Sequence, residues 1–215
     1  LILDKTIIKE ILVIRLEELF MIIVCDLDGV VFNSEDIVRC QAELTDFIKY
    51  KGNGIKIKDK FATYKCYGWS KKQLREFEKE IYPDVGYYCS VFPFAKKVLE
   101  LLKKDGCKIY AVTKRGYFGK KEILLTEKKL KQEKIQFDDV IYNQSNKVET
   151  CLKLKADIVI EDNYENIKEI IKSNIKCLYL RDISQPEIKS KYVKEVHNWG
   201  EIYRYIKTMD WSDMK

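Results

Sequence analysis

Proline and glycine are scarce in this sequence, three and nine among 215 residues, which excludes collagen-like and low-complexity chains. None of the seven cysteines (Cys25, Cys40, Cys66, Cys89, Cys107, Cys151, Cys177) stands in a Cys-x-x-Cys spacing, and their number is odd. Neither a zinc knuckle nor a disulfide framework fits, and reduced thiols in a cytosolic protein are expected. In the apolar run Ile22-Ile23-Val24-Cys25 the thiol reads as a small buried hydrophobe. The chain also lacks an uncharged run of about 20 residues, the length that a spanning helix needs. Its apolar N-terminus is broken by Asp4, Lys5, Lys9, Glu10, Arg15, Glu17 and Glu18. No secretory or membrane segment is expected, and the protein should be cytoplasmic.

A strong charge bias is missing as well. The 40 basic and 34 acidic residues leave a formal net charge of +6 on a chain that is 34% charged. Lysines such as Lys128, Lys129, Lys131 and Lys134 lie in helical stretches, where they solvate an outer face, so a dedicated nucleic-acid patch is disfavoured. What is present is material for a core: 46% of residues are hydrophobic and 12% aromatic, which excludes a disordered chain. At 215 residues, one core domain with a modest insert is the size-based expectation.

The first twenty residues read as a short amphipathic segment carrying Ile7, Ile8, Ile11, Leu12, Ile14 and Leu16, and residue 1 is leucine. Met21 stands immediately before the first strong strand and is expected to be the natural start, with residues 1–20 an extension. A genuine N-terminal helix is the other reading.

From Met21 onward, β-rich runs alternate with helical stretches. Met21 to Asp26 is a continuous apolar run closed by an acid, as in a strand buried on both faces of a parallel sheet. Strands are expected again at 108–113, 139–142, 157–161 and 176–180. Helices are expected at 94–104, 120–134, 147–154, 164–173 and 200–207. Such alternation implies right-handed crossovers and a three-layer α/β sandwich around a parallel sheet. Residues 33–92 break the alternation with helical, aromatic-rich sequence. About 60 residues is far beyond an ordinary connection, so they read as a helical cap inserted after the first core strand, leaving 21–32 and 93–215 as the core domain.

The sharpest chemical signal is Asp26-Leu27-Asp28-Gly29-Val30 at the end of the first strand. In an open parallel sheet the ligand crevice lies beyond the carboxyl ends of the strands, so both acids face it. Thr113 ends the second core strand, where its hydroxyl can bind a phosphate oxygen or cap a turn. Lys147 opens a helix, and Glu161-Asp162 close a further strand on the same edge. Four converging acids would repel one another, and a bound divalent cation makes the cluster tolerable. Oxygen-only ligands point to magnesium.

These four elements, in order, resemble the motifs of the haloacid dehalogenase superfamily. Asp26-Leu27-Asp28-Gly29-Val30 is similar to its motif I, Val112-Thr113-Lys114-Arg115 to motif II, Lys147 to motif III and Glu161-Asp162 to motif IV. The resemblance implies a Rossmann-like core and a phosphatase in which Asp26 attacks phosphorus and forms an aspartyl-phosphate. It makes Asp28 the general acid and base. Thr113, Lys114 and Lys147 would bind the phosphoryl oxygens, and Mg2+ would be held by Asp26, the backbone carbonyl of Asp28 and Asp162, with Glu161 behind them. A carboxylate is already ionised at pH 7 and needs no activating base, whereas Asp28 needs an environment that raises its pKa. The presence of Asp28 argues against a dehalogenase, and phosphatase and phosphomutase stay open.

Substrate choice is expected to lie in the cap. Its rings Tyr64, Tyr67, Trp69, Phe77, Tyr82, Tyr87 and Tyr88 could stack on a nucleobase or form the cap's own small core. The run Phe92-Pro93-Phe94-Ala95, the Thr-x-Arg of motif II, Lys147-Val148-Glu149 and Ile160-Glu161-Asp162 resemble bacterial nucleotidases related to 5'(3')-deoxyribonucleotidases. The expected partner is thus a small phosphate ester, a nucleoside monophosphate first. A sugar phosphate, a polynucleotide end or a nucleic-acid-binding module are alternatives, and a non-catalytic scaffold is disfavoured by the retained motif chemistry.

Overall fold

The computed structural model describes residues 20–57, 63–182 and 185–208. The proposed extension at 1–20, apart from Phe20, lies outside the described residues. Six strands form one fully parallel sheet: β1 (Ile22–Cys25), β4 (Lys108–Val112), β5 (Asp139–Ile141), β6 (Ile158–Glu161), β7 (Lys176–Leu180) and β8 (Val193–Val196). Their order is β5-β4-β1-β6-β7-β8, with β1 in the middle, Cys25 opposite both Ala111 and Ile160. The chain therefore runs outward on one side of β1 and then returns to run outward on the other. Such a reversal of strand order is where open α/β sheets place their ligands.

Both faces of the sheet are covered, as the uninterrupted apolar strands require. On one face Ile23, Cys25, Ile109, Ile158 and Ile160 pack with Val98, Leu99 and Leu102 of α3 (Ala95–Lys104) and with Trp199, Ile202 and Ile206 of α7 (Trp199–Thr208). On the other, Val24, Val112, Val159 and Tyr179 meet Cys151 of α5 (Lys147–Lys153) and Ile167 and Ile170 of α6 (Tyr164–Ile171). Each fully buried Ile or Leu contributes about 1.5–3 kcal/mol relative to exposure, so this double-sided packing sets the position of every strand end. The three-layer α/β sandwich inferred from the alternation is the fold observed. The one core strand absent from that reading is β8, an edge strand whose Val-Lys-Glu-Val sequence puts charge where edges commonly carry it.

Between β1 and α3 the chain builds a helical unit. It contains α1 (Glu35–Leu44), a π-helical turn (Thr45–Lys49), a 3-10 turn (Thr63–Tyr67) and α2 (Lys71–Tyr88). A capping box starts α2, Ser70 and Gln73 satisfying each other's backbone N–H groups. A two-stranded antiparallel ladder joins this unit to the core: β2 (Phe32–Asn33) leads out and β3 (Ser90–Val91) leads back, with Phe32 opposite Val91. Tyr64, Tyr67 and Phe77 are buried there, with Trp69 and Tyr82 packed against them. Tyr67 stacks on Trp69 at 5.1 Å between ring centres and Tyr64 on Phe77 at 5.6 Å. Most of the rings thus make up the unit's own core.

All seven cysteines are free thiols, five of them buried. Among the described residues no helix is long and apolar enough to cross a membrane.

Candidate active site

The carboxyl ends of β1, β4 and β6 bring the motif residues together. The Asp26 N–H donates to the Ile160 carbonyl at 3.0 Å, so the ladder runs one residue past β1 and carries the Asp26 side chain to the sheet edge. Its Oδ1 accepts from the Leu27 N–H at 2.8 Å. Its Oδ2 lies 2.7 Å from Lys147 Nζ, which is also 2.7 Å from Glu161 Oε2. The Glu161 side chain is fully buried. Its Oε1 accepts from the backbone N–H groups of Asp162 and Asn163, and its Oε2 from Asn166. Glu161 is thus occupied in anchoring the lysine, while Asp162 is turned toward the β1 loop. Gly29, at φ +75°, makes that approach possible: a methyl group added there would overlap the Asp162 carboxylate.

Asp26, Glu161 and Asp162 each offer a carboxylate oxygen, all within 4.8 Å of one another. Three carboxylates here share one ammonium, a formal excess of two negative charges in a buried place. Burial dominates the Asp26 carboxyl; Lys147 opposes it, Glu161 and Asp28 reinforce it, and the pKa rises to about 7. Burial, followed by the charges of Glu161 and Asp26, pushes Asp162 well above the usual carboxylate range. Burial acts on Glu161 as well, but Lys147 outweighs it and keeps this carboxyl low. For Asp26 the expected ready ionisation is opposed by its burial and by the neighbouring carboxylates. A hard divalent cation beside Asp26 and Asp162 would remove the cause, and the all-oxygen donor set fits magnesium.

Asp28 is different. Arg115 grips it with both arms of the guanidinium, Nε to Oδ2 at 2.8 Å and Nη2 to Oδ1 at 2.7 Å. Burial would raise the Asp28 carboxyl, but the Arg115 charge and hydrogen bonds outweigh it and hold it below its usual value. This corrects the expectation of a raised pKa: a bidentate guanidinium stabilises the ionised form.

Thr113 is buried, its hydroxyl oxygen accepting from the Arg115 N–H at 3.2 Å, which leaves its own proton to donate. Lys114, by contrast, is exposed, its ammonium 5.4 Å from the Tyr117 ring centre. The structure brings Asp26, Asp28, Lys147, Glu161 and Asp162 together at the sheet edge, and the cation that joins them from motif II is Arg115. Sequence reasoning named Arg115 within the Thr-x-Arg of motif II and gave it no role, although the signal was available. Continuing the two-residue alternation of β4 puts Thr113 and Arg115 on one side and Lys114 on the other.

No family model matches the sequence. A nucleotidase of Clostridium acetobutylicum is 30% identical over 84 residues, which span 39% of this chain and 44% of that protein. Among solved structures, a haloacid dehalogenase-like hydrolase from Streptococcus pneumoniae superposes with a TM-score of 0.62 at 17% identity, covering 87% of this chain and 98% of the other. A protein of Clostridium acetobutylicum described as a predicted phosphatase superposes with a TM-score of 0.59 at 14% identity, covering 89% and 100%. A protein of Haemophilus somnus described as a predicted phosphoglycolate phosphatase gives 0.56 at 16%, covering 87% and 98%. The chain has the fold of the haloacid dehalogenase-like hydrolases.

Proposed function

We propose that this chain is a magnesium-dependent phosphomonoesterase of the haloacid dehalogenase superfamily that works through an aspartyl-phosphate on Asp26, with nucleoside monophosphates as substrates. The observation that carries the reading is the buried cluster of Asp26, Asp162, Glu161 and Lys147 at the carboxyl edge of the sheet, charged as a cation-and-phosphate site should be. The nucleotide part rests on the partial match to the clostridial nucleotidase.

Magnesium, held by Asp26, Asp162 and the Asp28 carbonyl, would supply charge that restores Asp26 to its ionised form and screens it from the incoming phosphate. Asp26 Oδ then bonds to phosphorus as the ester P–O bond breaks. Lys147 and the Thr113 hydroxyl face the charge that spreads over the phosphoryl oxygens, and the fixed hydrogen bonds of Glu161 keep the lysine aimed. Asp28, which Arg115 holds ionised, passes to the leaving oxygen the proton that the phosphate monoester brings as its monoanion. In the second half Asp28 takes a proton from water, whose oxygen attacks phosphorus and releases phosphate from Asp26. The helical unit at 33–92 acts as the cap that excludes water and reads the leaving group. Tyr82 marks where it meets the core, stacked on Phe118 at 5.5 Å.

The test is phosphate release with magnesium from a panel of nucleoside monophosphates and sugar phosphates. Preference for a nucleotide is expected. Preference for a sugar phosphate would remove the substrate assignment, and no release from any ester would remove the phosphatase reading.

A further inference from the structure

Arg115 is almost fully buried, its side chain 3% exposed, and it does more than neutralise Asp28. Its Nη1 donates to the Gly86 carbonyl at 3.4 Å and to Thr126 Oγ1 at 3.2 Å, and its Nη2 lies 3.8 Å from Cys89 Sγ. The guanidinium carbon lies over the Phe32 ring, 4.8 Å from its centre. These partners come from different parts of the chain. Asp28 belongs to the loop after β1, and Phe32 to the strand leading out to the helical unit. Gly86 lies in the last turn of α2 and Cys89 begins the return path. Thr126 lies in α4 (Lys120–Glu133). The strand that leads out of the core, the residue just before the strand that leads back and the end of α2 are therefore gathered around one side chain. Gly86 is shaped for it, since a Cβ there would run into Nη1.

The chain around Arg115 is itself fixed. Glu122 is buried, and its Oε2 accepts from the N–H groups of Gly116 and Phe118 at 2.7 and 3.1 Å. Thr126 is held by its own bond to the Glu122 carbonyl. A planar fork set on a fixed base fixes the plane as well as the place of the carboxylate it grips, which a lysine cannot do.

We infer that Arg115 is the positioning residue of Asp28, and that it ties the placement of this acid to the joint between the core and the helical unit. A shift of the joint moves Phe32, Gly86 and Cys89 against the guanidinium and so moves Asp28, while Asp26, at the end of β1, and Lys147, at the start of α5 and paired with Asp26 and Glu161, stay where they are. The inference rests on the phosphatase reading for its catalytic consequence and on geometry alone for the coupling.

Two measurements on Arg115→Lys and Gly86→Ala test it. In the first, kcat and KM are compared for p-nitrophenyl phosphate, whose leaving group needs no proton, and for an alkyl phosphate, whose leaving group does. Arg115→Lys is expected to lower kcat at least tenfold more for the alkyl ester than for the aryl ester, with KM within about threefold of wild type. Gly86→Ala is expected to act in the same direction and more weakly. Equal losses on the two esters would overturn a positioning role, because a general structural fault does not distinguish leaving groups. The second measurement is amide hydrogen exchange of the metal-free protein. Faster exchange confined to Cys89, whose N–H closes the last turn of α2 on the Val85 carbonyl, and to Phe92, whose N–H bonds Val31 across the joint, is expected in both variants. Unchanged exchange there, or an equal increase throughout the central sheet, would overturn the coupling. A wild type that hydrolyses neither ester would refute the phosphatase reading, and the exchange measurement would still decide the coupling.

Discussion

Asp26 and Asp28 stand two residues apart and live in opposite electrostatic settings. Asp26 shares one lysine with Glu161, with Asp162 close by, and its carboxyl is pushed up to about 7. Asp28 has an arginine to itself, which matches both of its oxygens and holds its carboxyl low. The first setting carries more acid than its lysine neutralises, and the second is matched within the protein. Burying charge is costly unless it is paired. Under the proposed function, the under-compensated cluster is the one that takes the cation.

Breaking the Asp26 cluster is expected to have the largest effect. Lys147→Met leaves Asp26 and Glu161 buried without their cation, which costs about 3–5 kcal/mol in the metal-free protein. Near neutral pH this lowers Tm by roughly 10 °C for a chain of this size, read by calorimetry. Turnover on any phosphate ester should fall at least a thousandfold. A stability unchanged at pH 7 would show that the cluster is not under charge stress.

Next comes the response to magnesium and pH. Because the Asp26 carboxyl is raised from 3.8 to about 7, the folded protein holds this proton more tightly than the unfolded chain does. The metal-free protein should therefore lose stability as pH rises from about 4 to 7. Asp28 has the opposite sign: its lowered pKa gives stability that is present above about pH 4 and lost as pH falls through the folded value. Magnesium at about a hundredfold its Kd adds about 2.7 kcal/mol, roughly 5–10 °C in Tm. At one fixed magnesium concentration the gain should be larger at pH 8 than at pH 5, and equal gains would remove the cation from the Asp26 cluster.

The smallest effect belongs to Lys114. Being exposed, it acts on an anionic substrate only through screened attraction. Lys114→Ala should raise KM about twofold, and the difference should vanish at high salt. A tenfold loss of kcat would place Lys114 on the phosphoryl group.

Much of this contrast was legible in the sequence, and the missing part has a physical cause. Strands β1, β4, β6 and β7 announced themselves because both of their faces are buried, which forces continuous apolar runs. Strand β8 did not, because an edge strand with Lys194 and Glu195 at its centre reads as loop. Asp26, Thr113, Lys147 and Glu161-Asp162 could be placed because each follows or precedes such a run. The Asp28–Arg115 pair could not, since 87 residues separate its members and nothing local says which acid an arginine will meet. The low pKa of Asp28 was missed for the same reason. The rings of the helical unit were ambiguous because an aromatic run has the same sequence whether it faces a ligand or a small core. Tertiary packing resolved most of them into that core.

The central claim is that Asp26 becomes the covalent acceptor of a phosphoryl group beside a cation. Acid quenching within milliseconds of mixing the protein with magnesium and a phosphorus-32-labelled nucleoside monophosphate, followed by peptide mapping, tests it most directly. The account predicts an acid-stable, hydroxylamine-labile label on the peptide containing Asp26, absent in Asp26→Asn and absent without divalent cation. Steady release of phosphate with no label on that peptide, or label on any other residue, would contradict it.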